Sequence, residues 1–396
     1  MEKYITFEKN INQIIETLEG TATDNINSNT DTTGLVDSII KTAIKKRASD
    51  IHIEPLDDQV RVRYRIDGEL VTAVKIPKEK QSQIIGRLKA ISNMYQEKQE
   101  SQDGRIIMYP DYNIRVSSQR NIYGEKFVLR LLKKNMNIRG LEDLGFPGDD
   151  KFIKSCFNKR NSITIVAAPT GEGKTTTLYS IIDYLDKPQI NITTIEDPVE
   201  IRIAGLNQIE INEKLTFSDS LRTVLRQDPD IILVGEIRDR ETMEAAIDMA
   251  ESGHLVIGTL HTKSCAETID RMINFYEVRD QASIKYLMSA LLKLVVSQRL
   301  LKGTDGKLVL LPEVMVVDNI VAGCIRKEKF SVSELEDAIQ SNIDKGSISL
   351  INSIAQLFVE DKITLQQAKA QIEEKNIEIL NRTIMQMKIK RGQIQN

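Results

Sequence analysis

Residues 163–176 restrict the fold of this chain more than any other stretch. Ile163-Thr-Ile-Val-Ala167 is apolar and β-branched, as a buried strand is. Ala168-Pro-Thr-Gly-Glu-Gly-Lys-Thr175 follows at once, and Thr176-Thr-Leu-Tyr-Ser-Ile-Ile182 opens a helix. Strand, glycine-rich turn and helix in that order turn a pattern into a site, and the rival reading, an ordinary turn before a surface helix, loses to that context. Backbone N–H groups of such a turn and of the helix N-terminus wrap an anion. Pro169, Thr170, Gly171, Glu172 and Gly173 then line a phosphate cradle, with Thr176 at its helical end. Lys174 supplies a point charge to the outer phosphates, and the Thr175 hydroxyl can hold Mg²⁺. The usual first glycine of such a loop is Ala168 here. Alanine does not routinely take a positive φ, so this is read as a tolerated change whose geometry the structure must accommodate.

A length of 396 residues suggests two or three domains. Hydrophobic and charged contents of 41% and 28% are those of an ordinary globular protein. No apolar run is long enough for a transmembrane helix, and Met1-Glu-Lys-Tyr4 does not open a signal peptide, so a cytoplasmic location is expected. Cys156, Cys265 and Cys324 lie far apart, which argues against a disulfide framework and against zinc. A net charge of −3 argues against a protein that tracks along nucleic acid.

Tyr4, Phe7, Ile11, Ile14 and Leu18 form one stripe of a short helix over residues 1–20, either packed back locally or docked on a partner. A polar linker follows to residue 33. Residues 34–135 read as a small α+β domain. In it a helical stripe runs from Leu35 to Ile44, and Val60, Val62, Tyr64 and Ile66 alternate with Arg61, Arg63 and Arg65 on a half-buried strand. Asp67-Gly68 signals a hairpin, a helix is expected over 78–95, and strands around 105–108, 114–117 and 126–132. Residues 136–147 read as an interdomain linker. Residues 148–302 alternate strands with helices, the pattern of a parallel sheet, and residues 303–396 read as mostly helical, with capping boxes at Ser331/Glu334 and Thr364/Gln367.

In the central domain four expected strands end on loaded residues. Strand 163–167 enters the phosphate loop, 190–195 ends at Glu196, 231–234 at Gly235-Glu236, and 255–260 at His261. Open parallel sheets bind ligands outside the carboxyl ends of their strands, so these groups gather on one rim. Glu236 can polarise an attacking water or hold Mg²⁺ through water, Glu196 can share the metal or the water, and His261 can sense the outermost phosphate. The alternatives are a helix-capping acid at Glu236 and a turn carboxylate at Glu196. His254 starts the strand that His261 ends and reads as structural or interfacial.

With these motifs on the page, the chain resembles the assembly ATPases of type II secretion, type IV pilus and DNA-uptake pilus systems. Arg47-Ala-Ser-Asp-Ile-His-Ile-Glu-Pro55, Ile195-Glu-Asp-Pro-Val-Glu200, residues 221–239 and Gly253-His-Leu-Val-Ile-Gly-Thr-Leu-His-Thr262 carry the resemblance. It implies a RecA-like P-loop NTPase core with a parallel-rich sheet, a small α+β (PAS-like) domain before it and a helical region after it. It implies ATP and Mg²⁺ as cofactors. Arg115 and Arg130 match arginines that reach the nucleotide, and Arg222, Arg226, Arg238 and His254 match positions near the nucleotide or a subunit interface. The implied partners are five further copies in a homohexamer, an inner-membrane platform protein and membrane-associated assembly proteins. Location would be peripheral at the inner face of the cytoplasmic membrane, with no direct nucleic-acid binding. The favoured activity is ATP hydrolysis that drives assembly of pilin-like subunits through domain rotation. The rivals are a retraction motor of the same fold, a nucleotide-gated scaffold with little turnover, and a nucleic-acid translocase. Gln298-Arg-Leu-Leu-Lys-Gly-Thr-Asp-Gly-Lys307 runs on without the four-cysteine zinc module of many secretion members, so no metal subdomain is expected.

Overall fold

The computed structural model describes residues 32–392 apart from 67, 99, 134–139, 147–150, 158–159 and 212–214. The helix expected over residues 1–20 lies outside the described residues. The chain divides into two compact units, Met1–Met136 and Asn137–Asn396.

The first unit contains α1 (Thr32–Lys45), β1 (Asp50–Pro55), β2 (Gln59–Ile66), β3 (Glu69–Pro77), α2 (Gln81–Ile91), β4 (Gln102–Ile106), β5 (Tyr112–Asn121) and β6 (Gly124–Lys133). Its strands form one antiparallel sheet in the order β3-β2-β1-β6-β5-β4. Period-two alternation decides the faces. Val60, Val62 and Tyr64 of β2 point into a core with Ile51, Ile53, Phe127 and Leu129, which α1 closes with Leu35 and Ile39 and α2 with Ile84 and Leu88. Each such aliphatic side chain stabilises the unit by roughly 1.5–3 kcal/mol relative to exposure. The Tyr64 hydroxyl donates to the Ile39 carbonyl at 2.8 Å, so its one polar atom is satisfied. Ile66 pairs with Glu69 across the expected two-residue turn, with Gly68 at φ 87°. The helix expected over 78–95 is shorter. It begins as a 3₁₀ turn, Lys78–Lys80, and ends at Ile91, after which Asn93 takes φ 58°.

The opposite face of this sheet is charged. Arg61, Arg63 and Lys126 converge on Glu54 at 2.8–3.1 Å. Burial alone would raise the Glu54 pKa, but the hydrogen bonds from Arg63 and Lys126 outweigh it and bring the carboxyl down to about 2.

The second unit contains α3 (Lys151–Phe157), β7 (Ser162–Ala167), α4 (Lys174–Leu185), β8 (Ile192–Glu196), β9 (Asn207–Glu210), α5 (Phe217–Val224), β10 (Ile231–Val234), α6 (Arg240–Glu251), β11 (Leu255–Leu260), α7 (Cys265–Ile273), α8 (Gln281–Leu291), β12 (Leu292–Lys302), β13 (Leu308–Val316), α9 (Asn319–Arg326), α10 (Val332–Ser341), α11 (Leu350–Val359), α12 (Leu365–Lys369) and α13 (Ile377–Lys390). The sheet order is β13-β12-β7-β11-β10-β8-β9, parallel except for β13. Its central strands β7, β10 and β11 are almost wholly apolar because both faces are covered. Ile163, Ile232 and Val256 feed one core with α6, α7 and α8, while Val166, Leu233 and Ile257 feed another with α4. This is a doubly wound α/β sheet.

β13 falls inside the stretch expected to be mainly helical. Its alternation was masked because Leu310, Leu311, Pro312, Val314 and Met315 are nearly all buried, as a strand covered on both faces requires. α11 and α13 pack on it through a third core that includes Leu311, Ile354 and Leu380. The box at Thr364/Gln367 forms in full. At Ser331 only half of it forms: Ser331 accepts from the Glu334 N–H, but the Glu334 carboxylate pairs with Lys327 at 2.7 Å instead of turning back.

Candidate active site

β7 hands over to the glycine loop with no break in sheet pairing, because the Ala168 N–H donates to the Leu260 carbonyl at 3.2 Å. The positive φ values of the loop fall on Gly171 (86°) and Gly173 (77°), not on Ala168. Alanine therefore fits where the usual glycine would stand. Gly173 caps α4, and its carbonyl accepts from the Thr177 N–H at 3.1 Å. The loop thus ends on a helix N-terminus, where uncommitted N–H groups favour an anion.

Four adjacent strands deliver their side chains to one line at their carboxyl ends. The Lys174 ammonium lies 3.3 and 3.2 Å from His261 Nδ1 and Nε2. His261 Nε2 is 3.3 Å from Glu236 Oε1, and Glu236 Oε2 is 2.8 Å from Arg238 Nη2. Arg238 Nη1 reaches Asp197 Oδ2 at 3.4 Å. The line crosses β7, β11, β10 and β8 in their sheet order. Near-equal distances from Lys174 to both ring nitrogens are not those of one in-line hydrogen bond. The ammonium sits against the imidazole while keeping its donors for another acceptor.

Electrostatics divide the labour along this line. Burial lowers the Lys174 pKa, the charges of Glu236 and Glu200 offset part of that, and Arg238 adds to the lowering. For Glu236 burial works upward, but the Arg238 hydrogen bond and charge, then His261 and Lys174, hold the carboxyl below its ordinary range. Glu236 is therefore an ionised acceptor at neutral pH beside a cation. A cavity of about 270 Å³ opens here, with Glu236, Arg238, His261 and Arg271 in its wall.

Gly235 makes this possible. A Cβ at that position would lie 2.8 Å from the Ile195 carbonyl oxygen and 3.1 Å from Glu196 Cα. The end of β10 closes on β8 through Gly235 N–H to the Ile195 carbonyl at 2.7 Å, and Thr259 holds the Gly235 carbonyl from β11 at 2.5 Å.

Glu196 differs from the expectation that it shares the metal or the water. It is buried, with Thr194 and Gln208 donating to Oε1 at 2.6 and 3.2 Å and Tyr179 donating to Oε2 at 2.5 Å. Both oxygens are engaged, and Glu196 ties β8 and β9 to α4 rather than joining the Lys174–Asp197 line. The same burial, followed by the Glu196 charge and hydrogen bond, drives the Tyr179 hydroxyl pKa upward, so it stays a donor. His254, expected near the nucleotide or a subunit interface, lies away from the charged line. It sits at the opposite end of β11 from His261, with Nδ1 2.9 Å from the Met249 carbonyl and 3.0 Å from Ser252 Oγ, closing the end of α6. Arg222 and Arg226 are exposed on α5 and the turn after it, outside the line.

In the first unit Arg115 and Arg130 stand directly opposite each other on β5 and β6. The row continues to Arg105 on β4 and to Asp50 and Arg65 on β1 and β2. Asp50 accepts from Arg130 Nε at 3.0 Å and lies 3.9 Å from Arg65. Arg65 and Arg105 were missed by sequence reasoning, because nothing in a single strand shows which arginines become neighbours across a sheet.

Mg²⁺ fits the residues present. Among the described residues no group of three or more His, Cys, Asp or Glu could hold a metal by itself. A hydroxyl such as Thr175 and a carboxylate held ionised such as Glu236 are donor types that suit a cation bringing phosphate oxygens and water with it.

A family model described as Type II/IV secretion system protein matches residues 27–309. The chain is 40% identical over 275 residues to a putative type II secretion system protein E of Escherichia coli, covering 68% of this chain and 55% of that protein. It is 41% identical over 273 residues to the type IV pilus assembly ATPase PilB of Acinetobacter baylyi, covering 67% of this chain and 46% of that protein. The chain thus spans about half the length of these curated relatives. Among solved structures, the pilus retraction motor PilT with bound ADP superposes with a TM-score of 0.71 at 30% identity, covering 86% of this chain and 98% of that one. Glycine loop, charged rim and these matches lead to one conclusion: the chain belongs to the Type II/IV secretion system protein family.

Proposed function

We propose that this protein hydrolyses Mg-ATP and, as a homohexamer at the inner face of the cytoplasmic membrane, drives assembly of pilin-like subunits at a membrane platform. The observation that carries the reading is the Lys174–His261–Glu236–Arg238 line beside the glycine loop. The loop N–H groups and Lys174 bind the outer phosphates, Glu236 accepts from and orients the attacking water, and His261 stands between them to register the outermost phosphate. Bound Mg²⁺ would neutralise phosphate charge and be held by Thr175 and, through water, by Glu236. Glu196 fixes the end of β8 through Tyr179. Arg115 and Arg130 add guanidinium charge to the phosphates as turnover proceeds.

The experiment is steady-state ATP hydrolysis by the full chain, with Glu236→Gln beside it. Turnover is expected to fall by roughly 10²–10⁴-fold in the variant while ADP affinity changes little. Equal, negligible rates in both proteins would favour the nucleotide-gated scaffold. A second reading, retraction of the same filament, draws on the PilT likeness, which extends over 98% of that motor. Deletion separates the two: loss of surface filaments supports assembly, and their accumulation supports retraction.

A further inference from the structure

We infer that Gln298 is a positioning residue for the phosphate loop, its side-chain amide setting the direction of the Glu172–Gly173 peptide. The inference rests on the reading of residues 169–176 as a nucleotide site.

β12 pairs with β7 as far as Ser297 opposite Ala167. Beyond that point β7 has become the loop, and β12 runs on alongside it. Gln298 is 1% exposed and spends both polar atoms there. Its Nε2 donates to the Glu172 carbonyl at 2.7 Å, and its Oε1 accepts from Thr177 Oγ1 at 2.7 Å. The Leu300 backbone N–H donates to the Glu172 carboxylate at 2.5 Å. A Cβ on Gly173 would come within 3.3 Å of Gln298 Nε2 and of Leu300 Cδ1, so the strand backs directly onto the loop.

These contacts fix a direction. A carbonyl can accept only from the NH₂ end of the amide, which leaves Oε1 for Thr177. The C=O and N–H of a trans peptide point opposite ways. Drawing the Glu172 carbonyl onto β12 turns the Gly173 N–H away from β12, where an anion-binding loop needs its donors. The Thr177 bond locks that peptide to the first turn of α4. The Leu300 N–H in turn takes the Glu172 carboxylate, which would repel an anion, out of the phosphate-lining side chains and holds it on the strand side.

The test is ADP binding to the full chain, with Mg²⁺, by wild type and Gln298→Met, which keeps the length and apolar bulk but removes donor and acceptor. Titrations run well below both melting temperatures, with inorganic pyrophosphate as a competing probe. The ADP Kd is expected to rise about tenfold, and pyrophosphate competition to weaken in parallel, since the loss lies at the phosphates. Gln298→Glu supplies a second reading. It keeps the acceptor for Thr177 but faces the Glu172 carbonyl with an oxygen, so it should weaken ADP at least as much. A folded Gln298→Met or Gln298→Glu protein that melts earlier yet binds ADP within twofold of wild type overturns the inference and leaves Gln298 a packing residue. Absence of ADP binding by wild type overturns the nucleotide reading itself.

Discussion

Lys174 sets solvation against charge within the charged line. Burial disfavours its ammonium, Arg238 adds to that, and Glu236 and Glu200 act the other way without cancelling the loss, so its pKa lies below the ordinary 10.5. In phosphate binding the charged form is the useful one. The free protein should therefore begin to lose affinity for ADP, as pH rises, before an ordinary lysine would. The sign is set by the direction of the shift: a depressed lysine pKa moves the alkaline limb to lower pH. Measuring the ADP Kd against pH checks this, and Lys174→Arg, whose guanidinium stays protonated, should remove the alkaline limb even if its affinity at neutral pH is poorer. A limb that survives in Lys174→Arg would mean that another group titrates. Glu236 works in the opposite sense, since its depressed pKa keeps the carboxylate ionised down to below the ordinary range.

Elements meet through residues without room to spare, and Gly235 is the clearest case. The 2.8 Å approach to the Ile195 oxygen is to backbone, which cannot rotate aside as a side chain can. Gly235→Ala should push β10 off β8, costing about 1–3 kcal/mol and displacing Glu236 from His261. Urea denaturation and hydrolysis rate, read on the same samples, should both fall. Loss of stability with full activity would show that the strand ends can separate without moving the carboxylate. Much of this arrangement was legible in the chain. The apolar runs before residues 168, 196, 235 and 261 marked four strands because each stops abruptly at a turn-forming or polar residue, and the residues just beyond them include Lys174, Glu236 and His261. What the chain could not show is who partners whom. Glu196 looks like a catalytic carboxylate until Tyr179, Thr194 and Gln208 are seen to engage both its oxygens. Gln298 looks like filler in a strand until the loop 126 residues earlier is seen against it. β13 was absorbed into a helical stretch because burial on both faces erased its alternation.

At the scale of the whole molecule the row Arg65–Asp50–Arg130–Arg115–Arg105 asks for an explanation. Arg115 is flanked across the sheet by Arg130 and Arg105, and Asp50 is bonded to Arg130. Four arginines gathered on one row make a surface that phosphate charge can meet. In the hexamer proposed above, turnover is a property of the assembled protein. Light scattering of the full chain with Mg²⁺ and a non-hydrolysable ATP analogue should then give the mass of six copies. Arg115→Gln should keep that mass, while hydrolysis falls by roughly 10–100-fold through loss of charge at the phosphates. A variant that melts earlier and still turns over at the wild-type rate would make Arg115 a structural residue, and a strictly monomeric chain with and without nucleotide would remove the ring on which the coupling depends.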